Sequence, residues 1–103
     1  MHQILVLYNP PKNPQQFRDH YVKTHIPLCR KLPGLKAFRY AFESGALLGA
    51  KSPYFCVAEL DFADAAAMGA AMGSPQGKAV VDDLKNFASG GALPLNFDLD
   101  RYK

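Results

Sequence analysis

The sequence predicts an α+β sandwich of element order β-α-β-β-α-β, with both helices on one face of a four-stranded antiparallel sheet. Three observations carry this. Four short apolar segments, residues 2–8, 35–43, 54–62 and 93–100, read as strands. Two longer segments repeat apolar residues at three- and four-residue steps, the period of one helical face. Clusters of Gly, Pro, Ser and Asn separate these stretches. The 103 residues suit one domain, residues 1–103, and a composition of 49% hydrophobic and 20% charged residues argues against disorder.

Strand one holds Ile4, Leu5, Val6 and Leu7 in succession, which suits a strand buried on both faces. Asn9-Pro10-Pro11 stops it, because two prolines remove two ladder donors. Asn13 is a suitable N-cap and Pro14 a suitable first helical residue. Phe17, Tyr21, Thr24 or His25, Leu28 and Leu32 then form an apolar face. Pro27 interrupts the pattern, and its ring is expected to kink or split the helix near His25 by clashing with the carbonyl of Lys23. Pro33-Gly34 ends the element.

Strand two places Phe38, Tyr40 and Phe42 on one face. A loop containing Gly45, Gly49, Ser52 and Pro53 leads to strand three, centred on Phe55-Cys56-Val57-Ala58, and the two strands form an antiparallel hairpin. Asp64 caps an alanine-rich helix through Met72. Ser74 and Pro75 restart a helix whose apolar face is Val80, Val81, Leu84, Phe87 and Ala88, ended by Gly90-Gly91. Leu93, Leu95, Phe97 and Leu99 alternate along strand four. Right-handed crossovers put strands one and three at the centre of the sheet, a ferredoxin-like sandwich. Two helices cover one sheet face only. Apolar groups on the other face of strands one, two and four predict a homodimer packed through that face.

The net charge of +3 is unevenly spread: residues 1–51 carry eight Lys/Arg against two acids, and the rest of the chain four against seven. The basic residues are scattered over helices and loops, without the dense aromatic-interleaved stripe of a nucleic-acid binder, so an ordinary solvated surface is expected. No apolar run reaches the roughly 20 residues of a membrane span. With two cysteines and no secretory leader at its start, the chain is expected in the cytoplasm. There is no Cys-x-x-Cys, no Gly-x-Gly-x-x-Gly and no phosphate loop, so neither a metal nor a cofactor is expected. His20 and His25 are five apart and, on an α-helix, do not share a face.

His25 is the candidate catalytic residue. Its imidazole either bonds a backbone carbonyl freed by Pro27 or serves as a general acid/base lining a pocket between helices and sheet. Tyr8, Tyr21 and Tyr40 are candidate substrate-binding residues, as core-edge aromatics with polar tips. Arg39 is either an interface or surface residue or an anchor for an anionic group. Cys29 and Cys56 read as small buried hydrophobes.

Three stretches carry a family resemblance. They are Tyr8 and Pro11 with Phe17, Tyr21, His25-Ile26-Pro27-Leu28 and Leu32-Pro33-Gly34-Leu35; Ser52-Pro53-Tyr54 leading to Phe62; and Ser74-Pro75-Gln76-Gly77, Val81-Asp82-Asp83-Leu84, Asn86-Phe87 and Gly90-Gly91. Together they resemble the EthD family across nearly the whole chain. The resemblance implies a dimeric α/β barrel, two ferredoxin-like subunits packed sheet to sheet. It also implies a role beside bacterial oxidative ether degradation. Relatives on the same barrel include cofactor-independent monooxygenases, lactone isomerases, and decarboxylases or dehydratases of aromatic polyketides. His-x-Pro-Leu is the most shared feature and places His25 at a pocket by resemblance. Two functions follow as expectations. One is a cofactor-independent enzyme, or an oxidoreductase-linked accessory protein, acting on a small apolar or aromatic molecule. The other is a protein that binds or sequesters such a molecule. An enzyme needs a second polar group beside His25, for which Tyr8, Tyr21, Tyr40 and Arg39 are the candidates.

Overall fold

A computed structural model describes residues 1–102. Its strands are β1 (His2–Tyr8), β2 (Ala37–Ala41), β3 (Cys56–Phe62) and β4 (Ala92–Asp98). They form one antiparallel sheet of order β2-β3-β1-β4, so strands one and three are central as the crossover rule predicts. Register is in phase across the sheet: Ile4 pairs with Leu60 on one side and Asn96 on the other. Pro94 sits in β4, an edge strand, where its missing donor is tolerated.

The first helical segment departs from the expected kink. α1 (Pro14–His20) runs without a break into a five-residue π-helical turn, Tyr21–His25, and then into α2 (Ile26–Cys29). Asn13 caps the start, its side chain accepting from the Gln16 N–H at 3.1 Å. The Ile26 N–H reaches back five residues to the Tyr21 carbonyl. Pro27 supplies no N–H, and one wider turn absorbs the mismatch where a kink would have broken the rod. The buried stripe is therefore Phe17, Tyr21, His25, Cys29 and Leu32, with Cys29 more buried than Leu28.

α3 (Ala65–Met72) and α4 (Pro75–Asp83) start where their caps predict: Asp64 accepts from the Ala67 N–H at 2.8 Å and Ser74 from the Gly77 N–H at 3.1 Å. α4 tightens into a 3₁₀ turn, Leu84–Asn86, short of the expected run to Ala88. Tyr8, Phe17, Tyr21 and Phe87 meet at the centre of the core. The Tyr8–Phe17 and Phe17–Phe87 rings stand edge-to-face at 5.3 and 4.9 Å. Such contacts contribute about 0.5–1.5 kcal/mol each beyond area burial.

The pleat sorts the sheet residues. Ile4, Val6 and Tyr8, with Cys56, Ala58, Leu60 and Phe62, face the helices and belong to the core. The opposite face presents Leu5 and Leu7 of β1, Val57 of β3, and Leu93 and Leu95 of β4, the last two 48% and 40% exposed. β2 gives that face Ala37, Arg39 and Ala41, not large apolar groups, so the patch lies on strands one, three and four rather than one, two and four.

Gly77 accounts for the Ser-Pro-Gln-Gly stretch. It is buried where α4 leaves α3, and a Cβ there would run into the backbone of Ala71 and Met72. Gly77→Ala is expected to lower unfolding stability in urea by about 2 kcal/mol, an overpacking cost. Gly69 is exposed within α3, and a methyl group there would meet open space. Gly69→Ala is expected to raise stability by about 0.5–1 kcal/mol in the same measurement.

Candidate functional site

A cavity of about 290 Å³ lies between the helices and the sheet. β1 supplies Ile4, Val6 and Tyr8 to it, and the π turn supplies Tyr21 and His25. Met68 and Met72 close it from α3, and Phe38 reaches it from β2. Among the described residues no Lys, Arg, Asp or Glu lines it. Its volume suits a small ligand, and its walls favour an apolar one.

His25 is buried at this cavity. Its Nδ1–H donates to Asp83 Oδ2 at 2.9 Å. A carboxylate only accepts, so the proton of a neutral His25 ring sits on Nδ1 and Nε2 keeps its lone pair. Among the described residues no side chain bonds Nε2, which is left to the cavity. Asp83 is itself buried, at the end of α4. His20 Nε2–H donates to its Oδ1 at 2.8 Å and Oδ2 at 3.0 Å, and Asn86 Nδ2 donates to Oδ1 at 2.9 Å. Burial works against a charge on Asp83, but the bonds from Asn86, His20 and His25 outweigh it and hold the carboxyl below the usual range. For His25 burial is the leading cause and lowers the imidazole below its ordinary value, against the opposing pull of Asp83.

Neither His25 nor the carboxylate behind it is a backbone cap. The π turn explains why the pair forms: residues five apart fall on one side of a turn with i→i+5 bonds, so His20 and His25 converge on one carboxylate. The expectation that they cannot share a face assumed α-helical geometry and is corrected here.

Tyr8 and Tyr21 both line the cavity, and burial raises both phenols far above their ordinary values, so they are neutral donors. The Tyr21 hydroxyl is buried and makes no hydrogen bond of normal geometry, although it lies near Tyr8 and Cys56. Tyr40 stands at the sheet edge, 44% exposed, with its ring 5.5 Å from Tyr21 but outside the cavity lining. Arg39 is on the opposite sheet face. Its Nε donates to Glu59 at 2.9 Å and its Nη2 to Asp61 at 2.8 Å, and Asp61 also accepts from Gln3 Nε2 at 2.9 Å. Arg39 therefore does not join His25 at the cavity, because β2 alternation turns it away. Burial pushes both cysteine thiols up to about 12, which leaves them without thiolate at neutral pH. Among the described residues no group of three or more His, Cys, Asp and Glu is placed to hold a metal ion. No helix there is long and apolar enough to cross a membrane.

Sequence reasoning missed Asp83, His20 and Asn86. One signal for Asp83 was present: it falls on the Val80–Leu84–Phe87 stripe, an acid on a face otherwise apolar.

Sheet, helices and cavity together define a ferredoxin-like α+β protein with an apolar pocket and, at its wall, a histidine backed by a carboxylate. The chain belongs to the EthD family, whose domain matches residues 9–91. A protein of Rhodococcus erythropolis, described as an uncharacterized 11.0 kDa protein in the thcB-thcC intergenic region, is 36% identical over 98 residues, which cover 95% of this chain and 94% of that one. An EthD family protein of Bacillus halodurans C-125 has a similar structure, with a TM-score of 0.88 at 30% identity over 97% of this chain and 99% of that one. A dimeric ferredoxin-like protein of unknown function from Thermobifida fusca shares the fold, with a TM-score of 0.71 at 16% identity, over 95% and 90% of the two chains.

The lowered proton affinity of folded His25 has a consequence for stability. In the unfolded chain a histidine titrates near about 6.5. Below that pH the unfolded chain takes up a proton that the buried ring resists, so this contribution to stability falls as pH drops from about 6.5. Asp83 acts in a lower window: its contribution is present above the ordinary carboxylate range and is lost as pH falls through its depressed folded value. Urea midpoints of wild type and His25→Gln, compared from pH 8 to pH 5, are expected to converge toward the acid end. Parallel curves would show that folded His25 titrates like a free histidine.

Proposed function

We propose that this protein is an acid–base enzyme acting on a small, uncharged apolar or aromatic molecule held in the cavity, with His25 as general base. The observation that carries this reading is the orientation of His25: Nδ1 is tied to Asp83 and Nε2 is left to the cavity. That is the arrangement of an oriented base, and it supplies the second polar group that a merely satisfied core histidine lacks. A ligand proton facing Nε2 passes to the ring, and the imidazolium so formed is stabilised by Asp83. The negative charge left on a ligand oxygen is met by the neutral hydroxyl of Tyr8. Return of the proton at a neighbouring atom balances the step as an isomerisation, using only the chain's own side chains. An apolar, uncharged lining selects a ligand that enters without charge.

The test uses a panel of phenols and enolisable aromatic ketones. Binding is read by thermal shift and proton abstraction by hydrogen–deuterium exchange of the bound ligand. His25→Ala is expected to keep ligand binding and to slow exchange by about 10²-fold or more. The wild-type rate is expected to fall on the acid side as His25 gains its proton, below the ordinary histidine value. If a bound ligand exchanges equally fast with His25→Ala, the chain only binds or sequesters its ligand.

We further infer a homodimer formed through the sheet face opposite the helices. Leu5, Leu7, Val57, Leu93 and Leu95 make that face apolar, and the Thermobifida fusca relative of the same fold is dimeric. The contact should bury more than about 1,000 Å² in total. Sedimentation is expected to give a dimer at micromolar concentration for the wild type and a monomer for Leu95→Asp. A monomeric wild type would sink the inference.

A further inference from the structure

We propose that His20 tunes the cavity base: it shares the single Asp83 carboxylate with His25 and competes with it for that one negative charge. This rests on the reading of His25 as the base. His20 reaches a ligand only through Asp83 and His25, so it is a positioning residue.

The geometry is a three-member bridge. Asp83 Oδ2 receives His25 Nδ1–H at 2.9 Å, and Oδ1 receives His20 Nε2–H at 2.8 Å. The side chains of His25 and Asp83 are 3% and 6% exposed, and that of His20 is 22% exposed. One negative charge compensates one imidazolium. His20 and His25 therefore compete for one counter-charge. A proton on His25 enters a buried site whose counter-charge is shared with a second imidazole. Phe87 holds both rings around the carboxylate, with centroids 5.3 Å from His20 and 4.6 Å from His25.

Among the described residues the surroundings offer no competing charge inside the bridge. Tyr8, Tyr21 and Cys29 are the titratable groups on the cavity side, and burial keeps all three neutral. Asp19 and Lys23 border the groove outside His20 and are exposed, and Asp19 accepts from Gln15 at 3.0 Å. On α4, Asp82 faces outward to Lys78 at 2.8 Å, and Lys85 beyond it is exposed. Asn86 donates to the carboxylate and carries no charge.

The experiment is an NMR titration of the assigned histidine rings in the full chain without ligand, for wild type, His20→Gln and Asp83→Asn. Gln keeps a donor for Asp83 but cannot carry a proton's charge. In His20→Gln the His25 midpoint is expected to rise by about one pH unit, a tenfold gain in proton affinity. In Asp83→Asn it should fall. His20→Phe, which keeps the ring stack on Phe87, is expected to give the same rise and serves if the Gln variant folds poorly. An unchanged or lowered His25 midpoint in the His20 variants overturns the proposal. Because no ligand is present, this outcome is separate from the exchange assay: a shifted midpoint with exchange insensitive to His25 keeps the coupling and removes the base.

Discussion

The Asp83 carboxylate accepts hydrogen bonds from His20, His25 and Asn86, and through them it joins the π turn of the first helical segment to the end of α4. The arrangement depends on Pro27. Without an N–H at that position the α-helical ladder cannot continue unchanged, and the chain responds by opening one turn by a residue. That extra residue brings two histidines, five apart in sequence, to the same carboxylate. It also keeps the buried stripe in register from Phe17 to Leu32, so the helix still packs on the sheet. A kinked helix would have lost one or the other.

Burial then gives the site its chemistry. In water an imidazole and a carboxylate interact weakly, and both exchange protons freely. Here the carboxylate is held charged by three donors while the neighbouring ring is held neutral by desolvation. The two effects act in opposite senses on adjacent groups, which is the condition for a base oriented by an ionised partner. The tyrosines and cysteines around the pocket are shifted the other way and remain protonated donors or inert fillers. Among the described residues the cavity lining thus carries one imidazole, that of His25, in an otherwise uncharged wall.

The sheet divides its work between two faces. The helix-facing side carries the aromatic core and the cavity. The opposite side carries a leucine-rich patch beside a polar cluster in which Arg39 is tied to Glu59 and Asp61, and Asp61 to Gln3. Arg39 stands on the edge strand β2 with its side chain half exposed, and its two carboxylate partners hold it beside the apolar patch of the inner strands. The same alternation that points Phe38 into the cavity points Arg39 out of it, so neighbouring residues of β2 belong to different surfaces.

Much of the fold was legible in the chain because its signals are local. Apolar runs marked the strands, Asn13, Asp64 and Ser74 marked helix starts at the residues observed, and the order of elements left few topologies. The candidate site was legible only in part. His25, Tyr8 and Tyr21 stood on stripes that had to face the sheet, and they do line one cavity. Arg39 and Tyr40 fell outside it because face and edge position depend on pairing. The partners of His25 were hidden for a different reason. His25 and Asp83 are 58 residues apart and His20 and Asp83 63 apart, and no local pattern encodes a contact of that separation. Pro27 announced a break in α-helical geometry, but a kink and a π turn answer the same missing N–H. The choice between them was made by packing: the wider turn keeps Tyr21, His25 and Cys29 against the sheet and gives the buried carboxylate its donors.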